Sequence, residues 1–238
     1  MVDEAKLRRN NPTINAVWDN RISVLVGDYF VSMALHRALA TDDIRVVKAI
    51  GQLGTMLSLG EIDQIYNARE HLLSEESYFK TISYKTASLF VACAQVGCYA
   101  ADADQDSIDR LSRVVKLLGL CFQIRDDIFD YYEAKKVGKP TGNDLREGKI
   151  TLPLLHVLLD ENVPNRDEML RLVASEELKD EEIAVLTAYA RDNGGIDYAY
   201  KVMADLRSQA AEVLNGLAQK TEAASLMHIF DYIIARDF

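Results

Sequence analysis

Apolar residues recur with a helical period along most of the chain, and polar residues fill the positions between them. The segments with this pattern are, in chain order, 16–40, 43–69, 76–101, 106–134, 150–160, 166–174, 180–192, 195–219 and 222–236. Turn signals such as Thr41-Asp42-Asp43 and Asn193-Gly194-Gly195 separate them. Convincing period-two alternation is lacking, so no strands are predicted. We therefore expect an all-α fold, a single large bundle with long central helices.

Three aspartates stand out in segment 106–134 because of where they fall on its helix. On a wheel of ~100° per residue, Asp126 lies on the apolar stripe, Asp130 and Gln123 lie within ~60° of it, and Asp127 points further round. An ionised carboxylate that faces the interior must be paired, coordinate a metal or become neutral. Hard carboxylate oxygens suit Mg²⁺, which also takes water and phosphate oxygens. The alternative is an ordinary solvated helix face.

Basic residues accompany these aspartates along the chain. They are Arg8, Arg9, Lys85, Lys139 and Lys149. A Gly/Pro-containing loop carries the last two lysines and one more acid, Asp144. Lys85 lies at the edge of an apolar stripe, so its ammonium group either reaches solvent or points into an anion-binding cavity. Because Lys and Arg both bind phosphate oxygens, the acids and bases together indicate a site for a diphosphate bridged by Mg²⁺.

Composition narrows the class of protein. A chain of 238 residues with 49% hydrophobic and 27% charged residues suits one globular domain, residues 1–238. Its net charge of −10 argues against nucleic acid or anionic membrane as a main partner. The three cysteines have no zinc-like spacing and suit core thiols in the cytoplasm. The longest weakly polar stretch, 87–101, is too short for a transmembrane helix.

Several motifs resemble the trans-isoprenyl diphosphate synthases, or polyprenyl synthetases, over essentially the whole chain. FQIRDDIFD with GKPTGNDLREGKITLPLL resembles that family's second aspartate-rich motif and lysine loop, and YKTASLF resembles its Lys-Thr element. The segment VDEAKLRRNNPTINAVWDNRISVLVGDYF resembles the segment that runs from the family's first aspartate-rich motif into the next helix. Its PTINAVWDN part resembles the long-chain members more than the short-chain ones. The resemblance implies a helical isoprenoid synthase fold, a prenyltransferase of isoprenoid biosynthesis, a Mg²⁺ cofactor and a homodimer.

The resemblance also implies a role for each candidate residue. Metal ligands would be Asp3, Asp126, Asp127 and Asp130, with Asp144 in the outer shell. The allylic diphosphate, geranyl or farnesyl diphosphate, would be gripped by Lys85, Lys139 and Arg8 with Lys149 beside them, and isopentenyl diphosphate by Arg9. Thr86 and Gln123 would line the reaction centre beside Lys85. Metal ions would neutralise the leaving diphosphate, and the isopentenyl double bond would capture the allylic cation. Membrane contact would be at most peripheral, through the product.

The chain departs from the family in its first motif. That motif reads DDxxD, and only its last aspartate, Asp3, is present here. We therefore expect a chain truncated within this motif, lacking the helices that precede it and having weak or no activity. Three other functions stay open: a non-catalytic subunit of a heteromeric prenyl synthase, a class I terpene cyclase, and a helical scaffold. A scaffold predicts no Mg²⁺-dependent stabilisation by a diphosphate.

Overall fold

The structure, a computed structural model, describes residues 6–8, 11–132, 142–175, 177–215 and 220–236. The chain divides into two compact units, Met1–Gln52 and Leu53–Phe238. Within the described residues the first unit contains a short antiparallel pairing of β1 (Leu7–Arg8) with β2 (Asn11–Pro12). It also contains α1 (Ile14–Val17), α2 (Asn20–Leu39) and the beginning of α3 (Ile44–Arg69).

The second unit is helical throughout its described residues. After α3 come α4 (Glu75–Ile82), a π-helical turn (Ser83–Ala87), α5 (Ser88–Ala100) and α6 (Gln105–Phe129). Then follow α7 (Asn143–Arg146), α8 (Leu152–Leu159), α9 (Arg166–Val173), α10 (Asp180–Asp192), α11 (Gly195–Leu214) and α12 (Lys220–Ala235). The expected all-α fold is confirmed, and the two-residue strands are its one exception in the described ranges.

Helix starts follow from capping side chains. Asp104 begins α6 by accepting a hydrogen bond from the Ser107 amide at 2.9 Å, and Ser74 begins α4 through the Ser77 amide at 3.2 Å. Pro153 lies in the first turn of α8, where a backbone N–H would have no partner within the helix, so the missing N–H of proline costs nothing there. These local signals fix where α4, α6 and α8 begin.

The core of the second unit forms around α6. This helix packs against α5 and the π-turn on one side and against α11 and α12 on the other. Cys121, Ile124 and Ile128 are fully buried along it, and α8 contributes Leu152 and Leu158. Because α6 is covered on more than one side, its buried surface is wider than a single apolar stripe.

Helix α2 in the first unit has a different environment. Among the described residues it is the one helix that is long and apolar enough to cross a membrane. The prediction that 87–101 is the longest weakly polar stretch was therefore wrong. A core helix of a soluble protein meets the same criterion, so length and composition do not assign α2 to a membrane. Its apolar side chains are mostly exposed, and Ala38 is its buried residue.

Candidate active site

The three aspartates of α6 point in different directions. Asp127 is 4% exposed and Asp130 is 9% exposed, whereas the side chain of Asp126 is 40% exposed. The wheel was therefore wrong on which acid is buried most, because it assumed one apolar stripe and α6 is covered on two sides. Asp127 is the acid that faces the interior.

Both carboxylate oxygens of Asp127 are held by neutral donors. The Tyr78 hydroxyl donates to Oδ2 at 2.6 Å, and the Gln123 amide donates to Oδ1 at 2.8 Å. The Thr86 hydroxyl in turn donates to the Gln123 carbonyl oxygen at 2.6 Å. This chain of hydrogen bonds joins α4, the π-turn and α6, and it fixes the rotamer of Asp127.

The π-turn brings Lys85 and Thr86 to this network. A π-turn inserts one extra residue into a helix and is often found at functional sites. The π-turn packs closely against two glycines. A Cβ on Gly60 would lie 2.8 Å from the backbone nitrogen of Lys85, and a Cβ on Gly119 would lie 2.6 Å from the Ala87 Cα. Helices α3 and α6 can therefore approach the turn closely only with glycine at these positions.

Lys85 is oriented by helix α3. Its ammonium lies 2.6 Å from a Glu61 carboxylate oxygen and also donates to the Gln64 side chain. Its side chain is 34% exposed, so it does not simply extend into water. Of the two predicted environments for this lysine, the structure favours the one facing a cavity.

The loop after α6 supplies the remaining acid and base. The Asp130 carboxylate accepts a hydrogen bond from the Asp144 amide at 2.9 Å, so Asp130 anchors this loop. The Lys149 amide donates to the Asp144 carbonyl at 2.7 Å, and the Lys149 ammonium pairs with Glu147. Asp144 and Lys149 are thus placed close together by backbone contacts.

These residues enclose a cavity of about 160 Å³, called here the Lys85–Asp127 cavity. Its polar lining includes Lys85, Thr86, Gln123, Asp127, Asp144 and Lys149, together with Tyr78, Gln64 and Asn67. Six residues that the sequence nominated at separate positions therefore line one cavity. Asp126 and Asp130 are not among its lining residues.

Burial makes the two cavity acids weakly acidic. Desolvation raises the pKa of Asp127 to about 6, against the lowering effect of the hydrogen bonds from Tyr78 and Gln123. Desolvation, followed by repulsion from Asp127 and Asp130, raises the pKa of Asp144 to about 8, and the Lys149 charge opposes this. A cation between the two carboxylates would relieve both penalties.

The donor set fits Mg²⁺ bound together with a phosphate. No group of three or more His, Cys, Asp or Glu side chains in the described ranges is arranged to hold a metal ion. Two carboxylates line the cavity, and Mg²⁺ often takes one or two carboxylates and completes its shell with water and substrate oxygens. Asp127 and Asp144 are the residues that would hold it.

Other nominated residues lie elsewhere. Asp3, Arg9 and Lys139 fall outside the described residues, and Arg8 belongs to β1, where its backbone pairs with Asn11. Asp126 pairs with Arg236. The sequence analysis missed Tyr78 as a site residue, although a tyrosine on a buried stripe needs a partner for its hydroxyl.

Comparisons with known proteins identify the family of the chain. The model of the family described as polyprenyl synthetase matches residues 1–190. The chain is 33% identical over its full length to heptaprenyl diphosphate synthase component 2 of Geobacillus stearothermophilus, covering 73% of that protein. It is 32% identical to nonaprenyl diphosphate synthase of Mycobacterium tuberculosis, with 99% of this chain and 70% of that protein covered.

Solved structures give the same result. The polyprenyl synthase of Caulobacter crescentus CB15, complexed with calcium and isoprenyl diphosphate, superposes on the whole chain with a TM-score of 0.90 and 28% identity, and 73% of it is covered. A decaprenyl diphosphate synthase from Rhodobacter capsulatus superposes on the whole chain with a TM-score of 0.88 and 30% identity, and 73% of it is covered.

Proposed function

The chain belongs to the polyprenyl synthetase family, and we propose that it extends an allylic diphosphate with isopentenyl diphosphate in a Mg²⁺-dependent reaction. Its family makes it a prenyltransferase of isoprenoid biosynthesis. The observation that carries the choice of substrates and metal is the Lys85–Asp127 cavity, where two lysines converge with the buried Asp127 and the half-buried Asp144. Acids alone would bind a cation, but lysines beside them suit a metal that carries a diphosphate.

The residues of the cavity have separate tasks in this proposal. Lys85 and Lys149 contact phosphate oxygens of the allylic diphosphate and balance the charge that develops as its C–O bond breaks. Tyr78 and Gln123 keep the Asp127 carboxylate in one orientation. Mg²⁺, when bound, neutralises part of the negative charge of the leaving diphosphate.

The carbon skeleton is extended without a protein nucleophile. Ionisation leaves an allylic cation, and the double bond of isopentenyl diphosphate attacks it to form the new C–C bond. Loss of a proton from the adjacent carbon restores a double bond, and the departing diphosphate would accept that proton. Thr86 and Gln123, at the turn beside Lys85, hold the shape of the cavity around the reacting end.

Activity and binding can be tested separately. Farnesyl diphosphate and labelled isopentenyl diphosphate should give an extended product with Mg²⁺ and none with EDTA. Asp127→Asn and Lys85→Met should each lower turnover by about a hundredfold or more, since each removes a charge that acts on the leaving group. Absence of product together with absence of any Mg²⁺-dependent stabilisation by pyrophosphate would contradict the proposal.

A second candidate function is that of one component in a heteromeric synthase. The observation in its favour is that two relatives, from Geobacillus stearothermophilus and Bacillus subtilis, are named component 2 of heptaprenyl diphosphate synthase. This candidate predicts that the chain alone binds Mg²⁺ and pyrophosphate but makes no product. Gel filtration and assay with and without a partner protein from the same source would separate the two candidates.

We also propose that the chain forms a homodimer through α2. Val24, Leu25, Phe30 and Val31 are between 53% and 71% exposed, although a helix apolar on all sides is normally buried. Large apolar side chains exposed together on one helix are typical of an interaction site. A second copy of the same helix offers a matching apolar surface, and closed twofold pairing is the commonest oligomeric arrangement.

A further inference from the structure

Two arginines lie next to the aspartates of α6, where that helix packs against α11 and α12. Arg125 is 4% exposed, and its guanidinium donates to the Tyr200 hydroxyl and to the backbone carbonyl of Arg236. Both acceptors are uncharged, and the Arg125 Nε is buried without a hydrogen-bond partner. A buried guanidinium in such surroundings carries a desolvation cost, so its position calls for a functional explanation.

Arg236 follows α12 and lies along one face of α6. Its guanidinium is 4.9 Å from the centre of the Phe122 ring and 5.1 Å from that of Phe129, and it pairs with the Asp126 carboxylate. Phe122, Asp126 and Phe129 are spaced so that they share a helix face. Arg125 stacks on the same Phe129 ring at 4.6 Å. Arg125 thus holds the backbone of Arg236 where its side chain reaches Asp126.

We propose that Arg236 competes with the metal–diphosphate complex for Asp126, and that Asp126 exchanges this guanidinium for the complex when the complex binds. The inference rests on the proposed function. Asp126 is next to Asp127, and its charge acts on Asp127 across the helix. While paired, Asp126 offers little attraction to a second cation. The pair is partly exposed, at 20% for Arg236 and 40% for Asp126, so it can be exchanged at a modest cost.

Metal affinity gives the first test. Mn²⁺ binding in the presence of inorganic pyrophosphate can be followed by electron paramagnetic resonance. Arg236→Met keeps the apolar stem but removes the competing charge, so its apparent Kd should be about two- to fivefold lower than that of the wild type. Arg236→Lys keeps the charge and should bind like the wild type. An unchanged or higher Kd in Arg236→Met would overturn the proposal.

Hydrogen exchange gives a second test, which measures the release of Arg236 and not the affinity for the metal. The Arg236 amide donates to the Tyr232 carbonyl at 2.7 Å, so its exchange rate reports the end of α12. Adding Mg²⁺ and pyrophosphate should speed this exchange in the wild type, and Asp126→Asn should show the faster rate without metal. Equal rates in all these states would overturn the proposal. If the wild type binds no Mn²⁺–pyrophosphate, the proposed function fails as well. An unchanged Kd in Arg236→Met alone refutes only the competition between Arg236 and the metal for Asp126.

Discussion

Asp127 is a buried carboxylate whose charge depends on two neutral neighbours. Without the Tyr78 and Gln123 donors, desolvation and the repulsion from Asp126 and Asp130 would act unopposed, and the pKa of Asp127 would rise further above about 6. The same donors leave lone pairs on each oxygen for a cation, since a carboxylate has about four acceptor sites. Tyr78 therefore orients Asp127, the proposed metal ligand, from 49 residues away in the sequence.

Tyr78→Phe tests this role at the residue scale. The change removes one hydroxyl from a buried site and leaves the ring in place. Since groups that orient a metal ligand typically contribute 10- to 100-fold to affinity, Mg²⁺-dependent binding of pyrophosphate should weaken by about tenfold. Calorimetric titration measures it. Tyr66→Phe is the control, because Tyr66 is 58% exposed, and an equal loss in both variants would contradict the role.

The cavity acids also predict how the metal-free protein responds to pH. The folded-state pKa values of Asp127 and Asp144, about 6 and about 8, lie above the ordinary value of 3.8. Between pH 4 and pH 8 the folded chain therefore binds more protons than the unfolded chain. The contribution to stability is fully present below pH 4 and is lost as pH rises through the folded pKa values.

Asp144→Asn should remove most of this dependence. In EDTA at pH 8 we expect it to raise the free energy of unfolding by on the order of 2 kcal/mol, since the buried charge is gone. Urea denaturation at pH 5 and pH 8 measures the effect. Mg²⁺ with pyrophosphate should stabilise the wild type at pH 8 but stabilise Asp144→Asn much less. A wild-type stability that rises over this pH range would contradict the prediction.

At the scale of elements, the π-turn connects packing with chemistry. It lies between α3 and α6, and the tight approach of each helix depends on a glycine. Displacing either helix moves the backbone of Ser83–Ala87, which carries both Lys85 and Thr86. The positions of Lys85 and Thr86 are therefore set by helix packing and not by the turn alone.

Gly60→Ala should disturb this packing. The Cβ of the new alanine would lie 2.8 Å from the backbone nitrogen of Lys85, so the π-turn or α3 must shift. We expect this shift to lower stability by about 1–3 kcal/mol. Pyrophosphate binding should weaken as well. Gly54→Ala on the same helix is a matched control: nothing lies within 4 Å of its Cβ, and alanine should stabilise the helix by about 0.5–1 kcal/mol. Thermal melts of both variants give the comparison.

Helix positions were largely predictable from apolar periodicity and capping residues, but deviations within helices were not. Segment 76–101 reads as one helix, and the period of its apolar residues gives no sign that Ser83–Ala87 widens into a π-turn. Segment 106–134 ends earlier, at Phe129. The wheel misplaced Asp127 for a related reason, since which sides of α6 are covered depends on where α5 and α11 pack. Such packing is decided by the tertiary structure.

At the scale of the whole molecule, most of the site was predictable as a set of residue types and not as a geometry. Acids and lysines close to one another in FQIRDDIFD and its loop indicated a diphosphate site, and Lys85, Asp127, Asp144 and Lys149 do line one cavity. The contact of Arg236 with Asp126 spans 110 residues and has no local pattern that would reveal it. The grouping of Tyr78 with Asp127 is non-local in the same way.

The exposed apolar surface of α2 predicts the oligomeric state. Val31 is 71% exposed, and a charge placed there would be buried and unpaired in a dimer formed through this helix. Val31→Glu should therefore shift the protein from dimer to monomer in sedimentation equilibrium. Val185→Glu on α10, at 47% exposure, is the control and should leave the dimer intact. A monomeric wild type, or a dimer unaffected by Val31→Glu, would show that α2 is covered by something other than a second copy of the chain.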